Sequence, residues 1–443
     1  MVLVGNPRKI VIPNVTLGDA VRVGQRTRID RFSVSKWSIR DRAIASGTTY
    51  LFANRRLLTI NYLKVTADLI DFTCYFSLTM NTAHMRSDGQ DFVIYNSDDT
   101  VRLPVDIVNY NSSTGVLKFW VKVDAVSNSA DTVLHMYYNC STYTQPAEGS
   151  DYSNSDMWAD HALVLHGNDG IDTSHVYDLS GNSNDGRKLD ANTPLEDIYG
   201  DSGDTKPVKM HRCQRRTVAS GTNEQINIAY SSSLDTQELT LEFCGFVASK
   251  GYGMTVIDRD YQSQNGYRVE AAGSGGAFSP ITFRGYDAAG GLILFSADQG
   301  LTSAAFKHVV LVYGETDGSI KSCIVNGVER SITVTNAGTG GVKAITDGMS
   351  VLDDFSGIRT GAGAIEALHL YKGVKASYVA HANAAYSNIW LRDLSGVPAN
   401  NFYNIGAETA DGLTIGEGVG THIEVRDVND SDKRRIARFH DLY

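Results

Sequence analysis

Short stretches in which apolar and polar residues alternate, each closed by a turn-forming cluster, recur along most of the chain. No other feature constrains the fold as much. Asp71-Phe-Thr-Cys-Tyr-Phe-Ser-Leu-Thr-Met, Asp91-Phe-Val-Ile-Tyr, Leu103-Pro-Val-Asp-Ile-Val-Asn-Tyr, Val116-Leu-Lys-Phe-Trp-Val-Lys-Val and Val133-Leu-His-Met-Tyr-Tyr follow one another between residues 51 and 147. A period of two sends alternate side chains to opposite faces of a strand. Strands at intervals of roughly 8–15 residues, with turns such as Asn96-Ser-Asp-Asp-Thr and Asn111-Ser-Ser-Thr-Gly between them, form the pattern of a sandwich or barrel. Residues 145–156 are polar and turn-rich and read as a linker. The strand pattern then resumes in Leu239-Thr-Leu-Glu-Phe-Cys-Gly-Phe-Val, Tyr267-Arg-Val-Glu-Ala, Ile281-Thr-Phe-Arg-Gly-Tyr, Lys307-His-Val-Val-Leu-Val-Tyr and Ala364-Ile-Glu-Ala-Leu-His-Leu-Tyr. Asn326-Gly is a hairpin signal, because its turn needs positive φ. Only residues 377–388 read as a helix.

Composition agrees with this reading. Forty-two glycines, 22 tyrosines and 15 phenylalanines against 8 prolines suit many strands joined by glycine turns. A length of 443 residues implies two to three domains. The pattern divides them as a basic arm over 1–50, a small β-sandwich over 51–147, a large one over 157–392, and a C-terminal extension over 393–443. The extension carries an expected β-hairpin over 412–428 and a basic tail. Eleven basic and three acidic side chains lie in residues 1–60, giving this lead +8 and the remaining chain −18 of a net −10. Such a lead fits either docking to an acidic partner, with Arg22, Arg26, Arg28 and Arg31 at its centre, or a solvated arm. The N-terminal residues lack a long apolar stretch of secretory type. No run is long and apolar enough to span a membrane, and nothing points to nucleic acid. The five cysteines, Cys74, Cys140, Cys213, Cys244 and Cys323, are odd in number and widely spaced, which suits small core residues better than disulfides or zinc.

Several segments resemble known families. Asp71-Phe, Ser87-Asp-Gly-Gln-Asp-Phe, Leu103-Pro-Val-Asp-Ile, Phe119-Trp-Val-Lys-Val and Asp131-Thr-Val-Leu-His-Met-Tyr-Tyr-Asn follow the order and spacing of a small β-domain of uncharacterised function. That domain commonly precedes a concanavalin A-like domain in bacterial surface proteins and phage structural proteins. Where it usually continues Tyr-Tyr-Gly-Asn, Tyr138 here runs directly into Asn139. Trp158-Ala-Asp-His-Ala-Leu-Val-Leu-His followed by Tyr177-Asp-Leu-Ser-Gly-Asn-Ser-Asn-Asp-Gly resembles the opening of concanavalin A-like and laminin G-like domains. The resemblances span about residues 57–390. They imply an all-β chain: a concanavalin A-like jelly-roll β-sandwich preceded by a smaller β-sandwich, with N- and C-terminal extensions.

Motifs of catalysis are missing: there is no GxSxG elbow, HExxH pair or GxxxxGK[ST] loop. A glycan hydrolase needs two carboxylates flanking one bond. The nearest approach is Glu238-Leu-Thr-Leu-Glu, which reads as an ordinary strand with Glu238 and Glu242 on a solvated outer face. His161, His166, His308 and His369 lie in apolar strands and are expected to be packed or hydrogen-bonded. Asp178, Asn182, Asn184 and Asp185 make a loop dense in oxygen, suited either to Ca2+, which takes 6–8 oxygen ligands, or to plain turn chemistry. Tyr252, Tyr261 and Tyr286 are loop tyrosines able to stack on sugar rings.

Three functions remain in view. The first is a non-enzymatic phage virion component, such as a capsid decoration protein, head fibre or tail appendage. It would be assembled in the host cytoplasm, tied to other virion proteins by the N-terminal arm, and present a lectin-like domain to host cell-surface glycans. A homo-oligomer, a trimer by analogy with fibres, suits that role, since linked weak sites gain avidity. The second is a bacterial surface adhesin, and the third a glycan hydrolase.

Overall fold

The strand Leu239–Val247 sends Leu239, Leu241 and Phe243 to one side and Thr240, Glu242, Cys244 and Phe246 to the other, and all nine of its residues are buried. A strand apolar on both faces belongs in a sheet covered on both faces. The layers are stacked accordingly. The computed structural model describes residues 37–44, 48–65, 67–147, 152–167, 174–188, 195–198, 212–216, 225–247, 254–271, 279–301, 306–314, 320–352, 363–374, 403–410, 413–417, 420–427 and 434–437. Among these the chain is all-β, and its strands pair antiparallel in two stacked sandwiches.

The large sandwich has an eight-stranded and a nine-stranded sheet. The first runs Leu195–Ile198, Arg212–Arg216, Gly363–Lys372, Leu239–Val247, Lys307–Gly314, Ile320–Val325, Val328–Glu329, with His161–Leu165 also on Gly363–Lys372. The second runs His175–Val176, Gly186–Lys188, Ile226–Ile228, Met349–Val351, Met254–Arg259, Tyr267–Ala271, Ser279–Tyr286, Leu292–Leu301, Ile332–Ala337. Leu241, Phe243, Phe283, Phe295, Leu311, Leu368 and Leu370 fill the space between them. The Asn326-Gly turn forms as expected, with φ of 51° and 73°, and Asn326 Oδ1 accepts from the His308 N–H at 3.0 Å.

The small sandwich pairs a five-stranded sheet with a three-stranded one. The five-stranded order is Tyr403–Ile405, Asn54–Ile60, Thr132–Tyr138, Phe92–Asn96, Arg102–Leu103, and the three-stranded order is Leu69–Thr79, Val116–Val126, Val105–Asn111. Phe72, Phe76, Phe92, Ile94, Phe119 and Met136 pack between them. The outer face of the three-stranded sheet carries Asp106 and Trp120 as register neighbours and lies against the outer face of the eight-stranded sheet. There the Trp120 ring sits 5.6 Å from Trp158 and 5.5 Å from His369. One apolar cluster therefore runs from the small core through Trp120 and Trp158 to Val164, Cys244, Val310 and Ala367.

The C-terminal segment departs from expectation. Leu413–Glu417 and Gly420–Asp427 are strands, but they do not pair with each other as a hairpin. Leu413–Glu417 pairs with Thr48–Phe52, and Gly420–Asp427 pairs with Trp37–Ile44 and Arg434–Ala437. Alternation identifies a strand and its faces but leaves its partner open. Upstream of these, Tyr403–Ile405 extends the five-stranded sheet. The Tyr403 hydroxyl accepts from the Ser77 N–H and donates to the Ser77 carbonyl, both at 2.9 Å, which blunts the edge of Leu69–Thr79. Glu408 accepts from the Tyr138 hydroxyl at 2.7 Å and the Asn54 amide at 3.1 Å. The segment expected as an appendage is thus stitched to the small sandwich. The expected helix over 377–388 and the arginines of the lead, Arg22, Arg26, Arg28 and Arg31, lie outside the described residues.

Trp120 is fully buried where the two sandwiches meet. Trp120→Ala should lower stability by about 3–5 kcal/mol, the usual cost of truncating a large buried aromatic. The check is the denaturant midpoint of the full chain, monitored by circular dichroism.

Candidate functional site

The outer face of the nine-stranded sheet is polar in the strands where its inner face is apolar. Ile257, Val269, Phe283 and Phe295 point into the sandwich, so their neighbours Asp258, Arg268, Arg284 and Ser296 point out. The register sets Asp258 beside Arg268 and Arg268 beside Arg284, with Thr255, Glu270, Thr282 and Ser296 in the next row. The charges compensate one another. Arg268 donates to Asp258 at 2.6 Å with both side chains fully buried, and Arg284 Nε donates to Glu270 at 2.6 Å. Burial works against the Arg284 cation, but Glu270 outweighs it and holds the guanidinium above its usual range.

Two of the three sequence-selected tyrosines meet at the end of this face. Tyr261 follows the strand Met254–Arg259, Tyr286 ends the strand Ser279–Tyr286, and their rings stack with centroids 5.4 Å apart at 28°. The Arg268 guanidinium lies 5.2 Å from the Tyr261 ring centre, within cation–π range. Burial, together with the neighbouring Tyr261, raises the Tyr286 phenol above its ordinary pKa. The turn that carries Tyr261 is strained, with Asp260 and Gln264 both left-handed at φ of 51° and 59°. Gly266 closes it where an added Cβ would fall 2.0 Å from the Arg259 carbonyl oxygen. Tyr252 lies outside the described residues.

Beside the tyrosine pair the surface opens into a cleft of about 370 Å3 lined by Tyr230, Asp235, Asn265, Lys343, Thr346 and Asp347. Lys343 ties the two features together: its N–H donates to the Tyr286 carbonyl at 2.8 Å and its Nζ to Asn265 Oδ1 at 2.5 Å. Asp235 accepts from Arg259 at 2.6 Å and from the Tyr230 hydroxyl at 3.1 Å. A second open cleft, of about 540 Å3, shares Asp235 and includes Gln237, Glu238 and Lys372. The rim therefore offers aromatic rings beside fixed donors and acceptors, an arrangement that can hold a polyhydroxylated ligand.

The oxygen-rich loop is knit to itself and to the sheet. Asp178 Oδ1 accepts from the N–H groups of Val164 and Ser180, and Oδ2 from Asn184 N–H and the Ser180 hydroxyl, at 2.7–3.0 Å. Asp185 Oδ1 accepts from the Asp178 N–H at 2.9 Å. The amides of Asn182 and Asn184 point at the carbonyls of His161 and Ala162. The structure brings all four residues together and engages both oxygens of Asp178 with protein donors. Among the described residues, no three His, Cys, Asp or Glu side chains gather as a metal-binding group.

Sequence reasoning missed a chain of titratable groups between the sandwiches. Glu242 Oε1 contacts His308 Nε2 at 2.9 Å and Oε2 contacts His369 Nδ1 at 3.1 Å. His369 Nε2 lies 3.0 Å from His166 Nε2, and His166 Nδ1 lies 3.4 Å from Asp106 Oδ2, which also accepts from Trp158 Nε1 at 3.0 Å. Glu242 was expected on a solvated face, but it is 0% exposed because the small sandwich covers that face. The apolar Cys244 and Phe246 alternating with it were the overlooked signal. Burial would raise the Glu242 carboxyl, but its two imidazole partners hold it down to about 2. Burial pushes Asp106 up to about 6 against the Trp158 hydrogen bond, and drives His166 well below the ordinary histidine value. The histidines are packed or hydrogen-bonded, as expected: His166, His308 and His369 make the contacts above, and His161 packs against Trp158 and Tyr371. Glu242, His308 and His369 in this line are 0% exposed, and Asp106 and His166 are 6% exposed.

No family model matches the sequence, and no curated protein matches it. Among solved structures, the chain is similar to the binding domain of Paraclostridial Mosquitocidal Protein 1, at 12% identity and a TM-score of 0.35, over 52% of each chain. It is also similar to the ligand binding domain of Botulinum neurotoxin serotype D in complex with N-acetylneuraminic acid, at 12% identity and a TM-score of 0.32, over 51% of each chain. A third is the CBM40 of a Ruminococcus gnavus IT-sialidase bound to α2,3-sialyllactose, at 10% identity and a TM-score of 0.28, over 38% of this chain and 96% of that one. The chain spans about half the length of the first two. These superpositions are loose, and what those proteins bind does not identify a ligand for this one.

Asp178→Ala would leave buried N–H donors without acceptors, so it should lower stability by about 3 kcal/mol. EDTA should leave the melting temperature of the native chain unchanged. Denaturant unfolding of the variant and calorimetry with and without chelator test the two statements.

Proposed function

We propose that the protein is a non-enzymatic glycan-binding module carried on a phage virion, with the Tyr261–Tyr286 pair as its sugar platform. The observation that carries the binding reading is the stacked, partly exposed tyrosine pair next to a cleft with fixed polar groups. A sugar presents an apolar ring face and a rim of hydroxyls. Tyr286 and Tyr261 offer the first a partner, and Asn265, Lys343 and Asp235 the second. The virion assignment is supported by the ordered resemblances over residues 57–390 and by the charge contrast between the lead and the body. In this reading the basic lead, including Arg22, Arg26, Arg28 and Arg31, docks on an acidic particle surface.

Two measurements test the proposal. On a glycan array the native chain should bind a defined set of glycans, and a Tyr261→Ala, Tyr286→Ala double variant should bind them at least tenfold more weakly with an unchanged melting temperature. An array without hits, or a double variant that binds equally well, removes the platform. Separately, a chain lacking residues 1–36 keeps the strands Trp37–Ile44 and Thr48–Phe52. It should fold normally but fail to co-sediment with particles, and retained attachment would rule out the lead as the anchor.

A further inference from the structure

The two clefts at the rim are parts of one path. Both are lined by Asp235, and the segment 340–347 contributes to each, Gly340 and Gly341 to the larger and Lys343, Thr346 and Asp347 to the smaller. The segment 230–238 does the same, with Tyr230 in the smaller cleft and Gln237 and Glu238 in the larger. Two anchors hold these segments together. The Val342 N–H donates to the Gln237 carbonyl at 2.8 Å. The buried Arg259 guanidinium donates to the Leu234 carbonyl at 2.5 Å, to Asp235 at 2.6 Å and to the Ile345 carbonyl at 3.2 Å. Asp235 is thereby fixed at the junction of the clefts, with its side chain 28% exposed. Arg259 occupies one position on Oδ1 and Tyr230 one on Oδ2. A carboxylate offers about four such positions, so about two remain for the hydroxyls of a ligand.

Aromatic rings recur along the same path. The Tyr261–Tyr286 pair borders the smaller cleft, tied to it by the bond from the Lys343 N–H to the Tyr286 carbonyl. Tyr230, 44% exposed, lines that cleft beside Asp235. One sugar stacks on one aromatic face and spends its hydroxyls on the nearest donors and acceptors. Here two aromatic stations share the smaller cleft, and the larger one, of about 540 Å3, opens past Asp235 with Glu238 and Lys372 on its rim. That is more surface than a single sugar can cover.

Charge narrows the ligand. Among the described residues that line the clefts, Asp235, Glu238 and Asp347 are acidic, and Lys343 and Lys372 are basic. Arg259 compensates Asp235, so the other four balance one another. A carboxylate on the ligand would meet no surplus cation here. Hydroxyl groups, in contrast, can donate to the acids and accept from the ammonium groups.

We propose, resting on the reading of the Tyr261–Tyr286 pair as a sugar platform, that the rim takes a linear, uncharged oligosaccharide of three or more sugars that crosses Asp235 from the smaller cleft into the larger. The first sugar lies on the tyrosine pair, the second reaches Tyr230 and Asp235, and the third enters the larger cleft between Glu238, Lys372 and Gly340.

Gly340 provides the test. Among the described residues, an added Cβ there meets no heavy atom within 4 Å, and the backbone is not left-handed. Gly340→Leu therefore takes up space in the larger cleft without displacing a neighbour. The full chain is presented with immobilised neutral, sialylated and uronic acid-containing glycans of one to six sugars. Neutral glycans with three or more sugars in line should bind. Calorimetry with one of them, trimmed sugar by sugar, should show a loss of about tenfold between three sugars and two, the equivalent of about one good contact. Gly340→Leu should bind both lengths equally and match the native chain on the shorter one. Lys372→Ala, at an exposed position, should also weaken only the longer ligand, and serves if the leucine variant folds poorly. Two sugars that bind as tightly as three, a preference for sialylated or uronic acid glycans, or a Gly340→Leu chain with the native length dependence overturns the inference. If binding in those cases is still lost on Tyr261→Ala, Tyr286→Ala, the platform stands and only its extent or charge preference is wrong. An array without hits removes the platform and the longer path together.

Discussion

The molecule depends on one contact: the outer face of the eight-stranded sheet buried under the outer face of the three-stranded sheet, with Trp120 and Trp158 edge to face at its centre. A sheet covered on both sides gains apolar burial on both. It also loses the usual place for its polar side chains. Glu242, His308 and His369 sit in its strands at positions that would be wet in a free-standing sandwich, and here all are fully buried. An ionised carboxylate survives there only with donors in place, and the two histidine rings supply them. Packing thus creates a demand for hydrogen bonds, and the line of side chains toward Asp106 meets it. The hydrogen bond from Trp158 Nε1 to Asp106 Oδ2, at 3.0 Å, then ties the two sandwiches across this contact.

Much of the architecture was legible in the residues. Alternation located the strands Leu69–Thr79, Val116–Val126, Leu239–Val247 and Lys307–Gly314, and Asn326-Gly located its turn, since these depend on local pattern and backbone preference. Partnership was less legible. The strands Leu413–Glu417 and Gly420–Asp427 are neighbours in the chain and alternate well, yet they pair with segments near residue 50 and residue 40. Pairing is decided by tertiary contacts that a short window does not contain. The burial of Glu242 was missed for a related reason: a carboxylate in an alternating strand reads as solvated until a second layer is known to cover it. At the candidate site, loop tyrosines could be recognised as surface aromatics. That Tyr261 and Tyr286 come from different hairpins and stack on each other could not.

The distribution of chemistry within the fold bears on function. The groups best suited to moving protons lie in the dry middle of the molecule, while the rim carries the half-buried Tyr261, Tyr286, Asn265 and Lys343. Arg268 with Asp258 and Arg284 with Glu270 leave the outer face of the nine-stranded sheet polar and locally balanced. A balanced polar face with an aromatic edge favours recognition by shape and hydrogen bonding over strong electrostatic attraction.

The pairing of Trp37–Ile44 with Gly420–Asp427 joins segments nearly 400 positions apart. During synthesis the early strand emerges long before its partner exists, and an exposed strand edge invites pairing with other chains. Closure of the small sandwich's outer layer, where Phe52 packs with Leu413 and Tyr143, must wait until residue 413 has been made. Pairing of these distant strands is thus a slow, long-range step in folding. Truncated products would carry unmatched edges, which makes aggregation of incomplete chains the expected failure in production.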